Sequence, residues 1–229
     1  MAAHTEVLPE PLPTDPLAVV SRWLQEAWAA HGQPNANAMV LATSSRAGRP
    51  SARVVLCKDI VSPPGFVLFY TNYLSAKGRQ LKANPRAAAV MHWDALRRQV
   101  RIAGPVTRAP AADSDRYFAE RAWQSRIGAW ASAQSAPIAS RAQLLAAVNK
   151  AARRFGAPPP GSPRADDSLT ITIPRPPHWG GYRLWAESVE LWVEGAARVH
   201  DRALWRRRLK KGAGGTFVPG PWSATRLQP

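Results

Sequence analysis

Short runs rich in β-branched and aromatic residues crowd the chain between Ala38 and Val106. They fall at Ala38 to Thr43, Arg53 to Lys58, Phe66 to Thr71, Ala87 to Trp93 and Gln99 to Val106, with no long helix between them. Strands spaced this closely predict an antiparallel sheet or barrel, because a parallel crossover takes a dozen or more residues and usually a helix. Pro63, Pro64 and Gly65 cannot continue a ladder and turn the chain back between the second run and the third. After the third run, Ser75 is suited to cap a short helix that Pro85 ends. Free backbone N–H groups at that helix start, flanked by Arg53, Lys58, Lys77 and Arg79, suit a phosphate monoester. An ordinary hairpin with a solvated basic face accounts for the same residues.

Helical spacing appears on either side of the sheet. Asp15 and Pro16 open a helix whose Leu17, Val20, Leu24 and Trp28 share a face, and Gly32 ends it. Further helices are expected at Asp113 to Ala122 and at Ser140 to Phe155, the latter with Leu144, Leu145 and Val148 as its apolar face. Residues 124 to 135, QSRIGAWASAQS, read as a ligand-binding loop from their Gly, Ser and Gln content. Strand patterns return at Leu169 to Ile173, Tyr182 to Trp185 and Val189 to Val193. The expected organisation is a mobile arm over 1–13, then one domain over 14–229 interrupted by a Pro/Gly/Ser-rich linker at 156–167.

Composition narrows the function classes. Hydrophobic residues at 45% and charged residues at 20% describe a globular chain. A net charge of +16 points to anionic partners, yet the cations are scattered except at Arg206-Arg207-Arg208-Leu209-Lys210-Lys211, and no nucleic-acid-binding signature occurs. A basic protein that binds nucleic acid without catalysis is therefore the weakest of the readings carried forward. The single cysteine, Cys57, excludes an internal disulfide and reads as a small buried side chain. The histidines show no metal-binding spacing, so no metal site is expected. GxGxxG and GxxxxGK[ST] are missing, which removes Rossmann and P-loop phosphate sites. With no secretory leader and no apolar run near the roughly 20 residues of a membrane span, a soluble cytoplasmic protein is expected.

Taken in order, RVVLCK (53–58), FYTN (69–72), SAKG (75–78), RRQV (97–100), YFAER (117–121), SRIGAWASAQS (125–135), WGGYRL (179–184) and RVHDR (198–202) resemble the pyridoxamine 5′-phosphate oxidase family. The resemblance runs from about the first helix to the C-terminal RLQP. It implies a mainly β split barrel with flanking helices, working as a homodimer with FMN at the subunit interface. The implied activity is that of an FMN-dependent oxidoreductase. Pyridoxamine or pyridoxine 5′-phosphate would become pyridoxal 5′-phosphate by hydride transfer to FMN, with O2 reduced to H2O2.

By the same resemblance, FMN would be held by Arg53, Val54, Lys58, Tyr70, Thr71, Lys77, Gln99, Gln134, Ser135, Trp192 and Arg202. The substrate would meet Lys58, Tyr117, Arg121, Ser125, Arg198 and His200, with Arg198 and His200 as the catalytic pair. Tyr117, Arg121 and Ser125 recur at i, i+4 and i+8, one face if the helix continues. Arg198 and His200 alternate by two and would share a strand face. Arg53 and Lys58 have opposite parity, so both reach one ligand only if the strand twists or ends near Lys58. The chain departs from the family pattern at Ala76, where an Arg is usual, and at Arg126, Leu191, Val199 and the long linker. These departures keep open a related flavin oxidase of secondary metabolism, similar to the phenazine-pathway members, whose substrate-phosphate residues tend to be lost.

Overall fold

The computed structural model describes residues 7–159, 161–162 and 171–229. Its elements are α1 (Pro16–Ala29), β1 (Ala38–Ser44), β2 (Pro50–Leu56), β3 (Asp59–Val61), β4 (Phe66–Asn72), α2 (Ala76–Ala83), β5 (Arg86–Trp93), β6 (Arg98–Arg108), α3 (Ala111–Glu120), α4 (Trp123–Ala131) and α5 (Arg141–Arg154). They continue with β7 (Trp179–Trp185), β8 (Ser188–Val193), β9 (Asp201–Arg206), β10 (Leu209–Lys211), β11 (Phe217–Pro219) and β12 (Ser223–Leu227). The fold is mainly β with flanking helices. The chain forms two compact units. A sheet unit comprises Met1–Phe69, Ala83–Thr107 and Arg183–Pro229, and a helical unit comprises Tyr70–Lys82 and Arg108–Tyr182.

In the sheet unit the strand order is β12-β9-β8-β6-β5-β1-β2, and every neighbouring pair is antiparallel. Alternation then decides what is buried. Met39 and Leu41 of β1, Val100 and Ile102 of β6, Leu191 of β8 and Ala203 and Trp205 of β9 all face the core. Asp15 caps α1 by accepting the Leu17 N–H at 2.9 Å. The buried stripe of α1 is Pro16, Leu17, Val19, Val20, Trp23 and Ala27, rotated from the expected one, and Trp28 stays 46% exposed. The bulkier Trp23 takes the core position, and its neighbours on the stripe follow.

The dense basic block does not act as one surface. Arg207 turns inward while Arg206, Arg208, Lys210 and Lys211 are exposed. Arg207 Nε donates to Ala186 O at 2.8 Å, its Nη2 donates to Gly65 O at 2.9 Å, and its guanidinium lies 4.1 Å from the Trp222 ring. Burial lowers its pKa to about 10. Gly65 is required by its backbone, whose φ of +101° few other residues adopt, and a Cβ there would also displace Arg207 Nη2, 2.1 Å away. Arg207→Met should cost about 2 kcal/mol of folding stability, because two carbonyls lose a charged donor. Urea unfolding of the two proteins measures it, and unchanged midpoints would show that other donors replace the guanidinium.

Several expectations meet the structure differently. Residues 1–6 of the expected arm lie outside the described residues. Leu8, by contrast, is 2% exposed and its N–H donates to Asp201 Oδ2, while Pro13 O accepts from Trp205 Nε1. Residues 160 and 163–167 of the expected linker, and 169–170 of the expected strand at Leu169 to Ile173, also lie outside. The described part of that strand, 171–173, is irregular chain. Its apolar alternation has another use: Ile173 enters the core of the helical unit with Phe118, Trp123, Ile127, Ala151, Ala152 and Trp179. Leu144 and Leu145 are 37% and 49% exposed, and α5 buries Ala151 and Ala152 instead. Small residues let α5 approach closely where leucines would hold it off. Cys57 is buried at 2% exposure, and burial raises its thiol pKa to about 12.

Candidate functional site

In the sheet unit, register assembles one group of candidates. Gln99 of β6 lies opposite Trp192 of β8, and Trp192 lies opposite Arg202 of β9. Directly paired residues on neighbouring strands point to the same face, so an amide, an indole and a guanidinium form one row across the sheet. The row lies on the face away from buried Val100, Leu191 and Ala203. One step along, Arg101 pairs with Glu190 on the same face. His200 joins the row through its ring, centred 4.6 Å from that of Trp192.

Arg198 and His200 do not share a strand face. Ala196 to Arg198 is a 3-10 turn, and β9 begins only at Asp201. Ala197 and Arg198 both have left-handed backbones, φ 53° and 64°. The turn closes so tightly that a Cβ on Gly195 would lie 1.7 Å from Val199 O, which makes glycine necessary there. The Gly195 N–H donates to His200 Nδ1 at 3.2 Å, so the neutral ring carries its proton on Nε2. Arg198 itself is exposed.

At the far edge of the sheet, Arg53 donates to Leu41 O at 3.1 Å, Thr43 Oγ1 at 2.6 Å and Ser51 Oγ at 2.6 Å, and burial lowers its pKa. Val54, the next residue, is 64% exposed on the opposite face. Lys58 is exposed and lies past the end of β2, its N–H donating to Leu68 O at 2.7 Å. Strand parity therefore does not relate Arg53 to Lys58.

The helical unit brings together a second group. Lys77, in the first turn of α2 and 9% exposed, donates to Thr71 Oγ1 at 3.2 Å and to Gln134 Oε1 at 3.0 Å. Thr71 Oγ1 also donates to Gln134 Oε1 at 3.2 Å. Ser75 caps α2 as expected, its Oγ accepting the Gly78 N–H at 3.3 Å. Asn72, not among the expected contacts, steadies the same corner by donating to Ser132 O at 3.2 Å and accepting the Leu74 N–H at 2.8 Å. Its signal was its place in the FYTN run.

A third group is aromatic. The Tyr70 ring stacks on Tyr117 at 4.1 Å and on Trp179 at 5.3 Å, nearly parallel to both. Burial, and then the nearby Asp113 carboxylate, raise the Tyr70 pKa to about 12. Arg121 lies 4.8 Å from the Trp179 ring and 5.6 Å from Phe118. Its Nη1 is buried with no hydrogen-bond partner among the described residues, and burial lowers its pKa. Trp179 is a further residue of this group outside the expected set.

The expected continuous helix from Tyr117 to Ser125 breaks at Arg121 and Ala122, whose ψ angles are 146° and 136°. Residues 124 to 135, expected as a loop, instead contribute most of α4. Packing overrides composition, since Trp123 and Ile127 are each at most 1% exposed. Ser125 and Ser135 are exposed, and Ser135 has a left-handed φ of 71°. Among the described residues no three His, Cys, Asp or Glu side chains cluster as a metal site, and no helix is long and apolar enough to cross a membrane.

Comparison with known proteins gives these groups a context. Residues 25–154 match the family described as Pyridoxamine 5′-phosphate oxidase, and residues 179–229 match the Pyridoxine 5′-phosphate oxidase C-terminal dimerisation region. A pyridoxine/pyridoxamine 5′-phosphate oxidase of Paracoccus denitrificans is 46% identical over 225 residues, covering 94% of this chain and 95% of that protein. One from Burkholderia orbicola is 47% identical over 215 residues, covering 94% and 89%. Among solved structures, PhzG from Burkholderia lata in complex with tetrahydrophenazine-1-carboxylic acid superposes with a TM-score of 0.79 at 26% identity, covering 99% of this chain and 100% of that one. A pyridoxamine 5′-phosphate oxidase-related, FMN binding protein of Nostoc punctiforme gives 0.66 at 18% identity, covering 95% and 100%, a likeness of fold. The expected split barrel agrees with both.

Proposed function

The chain belongs to the pyridoxamine 5′-phosphate oxidase family, and from that premise we propose that it oxidises pyridoxamine or pyridoxine 5′-phosphate to pyridoxal 5′-phosphate with FMN and O2. The observation that carries the substrate class is Arg121. A buried guanidinium N–H without a partner is costly, and a substrate phosphate would satisfy it with a charge-assisted hydrogen bond. The neighbouring Tyr70, Tyr117 and Trp179 rings supply flat apolar surface to a pyridine ring.

The donor set also fits FMN. In the helical unit Lys77, which donates to Thr71 Oγ1 and Gln134 Oε1, is a cation of the kind a phosphate takes, and in the sheet unit the Gln99, Trp192 and Arg202 row offers amide, flat ring and guanidinium of the kind a planar heterocycle takes. The chemistry supplied by bound FMN would be acceptance of a hydride from the substrate C4′ carbon while the hydroxyl or amine proton passes to solvent, and O2 would take up the two electrons as H2O2; with the amine, water hydrolyses the resulting imine and ammonia is released. In this proposal Arg121 and Tyr117 would orient the substrate, the Nε2–H of His200 would hydrogen-bond it, and Arg198 would bring positive charge to the reacting end. Ala76 stands where the family resemblance leads one to expect an Arg beside Lys77, and its lack of charge should weaken FMN binding without abolishing it.

A homodimer goes with this reading. Val40 and Val54 pair in register on the outward face of β1 and β2, at 43% and 64% exposure, beside Val90 of β5. An apolar face of that kind on a sheet is suited to cover by a second copy. A cytoplasmic location is part of the same proposal.

Mass spectrometry of the released cofactor, light scattering of the purified protein and H2O2 production with each vitamer test the reading together. FMN, a dimer and turnover of a phosphorylated vitamer are expected. FAD or no flavin would sink it. Flavin reduced only by a substrate without phosphate would favour the second reading, a phenazine-type oxidase, for which the likeness to PhzG is the specific observation.

A further inference from the structure

Glu190 is a carboxylate on an outward strand position, yet its side chain is only 7% exposed. It lies between two guanidiniums. Arg101 Nη1 donates to its Oε2 at 2.7 Å, and Arg202 donates to its Oε1 from both Nε and Nη2, at 3.2 and 2.8 Å. Arg202 Nη1 also donates to Gln228 O at 2.9 Å, just past the end of β12. A planar guanidinium bound through its Nε–Nη2 edge and again through Nη1 cannot rotate about its long side chain. What these bonds leave of its five N–H groups is one on each Nη, the edge still open to a ligand.

That edge belongs to the row of Gln99 and Trp192. We propose that Glu190 is a positioning residue that holds Arg202 as a fixed two-donor fork for the polar edge of the flavin ring system, with Arg101 steadying the carboxylate from the other side. The proposal rests on the flavin reading above. Stability gives weak reason for the arrangement, because a buried carboxylate between two cations is often matched or bettered by apolar residues of similar size. Orientation gives a strong one, since a free arginine would spend rotamer entropy each time a ligand was bound.

The test is a double-mutant cycle read as the FMN dissociation constant of the full-length protein, from quenching of flavin fluorescence. Glu190→Gln should weaken FMN binding about tenfold, and Arg202→Leu by at least as much. With Arg202 already replaced, Glu190→Gln should change affinity by less than about twofold, because its effect passes through that side chain. Equal losses in both backgrounds would show a merely structural role and overturn the proposal. If Glu190→Gln does not fold, Arg101→Gln serves in its place, as Arg101 is 56% exposed. An effect of Arg101→Gln that disappears when Arg202 is Leu supports the relay, and one that persists overturns it. A wild-type protein that binds no FMN at all sinks the flavin reading itself, an outcome distinct from additive losses.

Discussion

Arg198→Leu is expected to leave FMN bound while slowing reduction of the flavin by pyridoxine 5′-phosphate about a hundredfold or more. Of the cofactor donors proposed above only Arg202 shares the 198–202 run, and it lies on β9 beyond the turn that carries Arg198, so affinity for FMN should hold. Arg198 occupies a turn whose backbone is strained at two successive non-glycine residues, Ala197 and Arg198, at a cost on the order of 1–3 kcal/mol each. Such strain persists where the surroundings hold it, and here Gly195 closes the turn and binds His200 Nδ1. Leucine at 198 faces the same backbone angle, so the comparison isolates the guanidinium. Anaerobic stopped-flow follows the bleaching of oxidised flavin directly. Unchanged reduction would remove Arg198 from the mechanism, and loss of FMN as well would make it a cofactor ligand. No reduction in the wild type would move the substrate to the phenazine-type reading.

How much of this was legible in the sequence depends on the range of the interactions involved. Of the strands from β1 to β6 all but β3 were, because alternation and the Pro63-Pro64-Gly65 turn are local signals, whereas the three residues of β3, Asp59–Val61, fell in the stretch expected to turn. The Ser75 cap was legible for the same reason. The Gln99, Trp192 and Arg202 row was named only through family resemblance. Nothing local to 99, 192 or 202 fixes the register that aligns them. Two-residue spacing misled at Arg198 and His200, where a left-handed turn, not a strand, carries them. It misled again at 171–173, where alternation served a core contact of irregular chain. The break at Arg121 and Ala122 has no Gly or Pro to announce it. It is made by tertiary packing: Trp123 buries on one side of the break and Phe118 on the other, while Arg121 is drawn over Trp179.

That break gives Arg121→Ala its expected signature, a KM for the phosphorylated vitamers raised roughly ten- to 150-fold with kcat nearly kept, from a contact of about 1.5–3 kcal/mol. A phosphate handle distant from the reacting carbon is bound about equally in the ground and transition states, so its loss falls on KM. The guanidinium remains charged in neutral solution, and the Trp179 and Phe118 rings on which it lies fix its plane before substrate arrives. Arg121→Lys should recover only part of the affinity, since an ammonium keeps the charge without the fork. Stability supplies an independent arm. With no substrate present, Arg121 holds a buried N–H that has no partner among the described residues, so its removal relieves a desolvation cost and Tm should hold or rise. A falling Tm with unchanged KM would make Arg121 a structural pin of the helical unit. An unchanged KM with a collapsed kcat would place it at the reacting end of the substrate rather than at the phosphate.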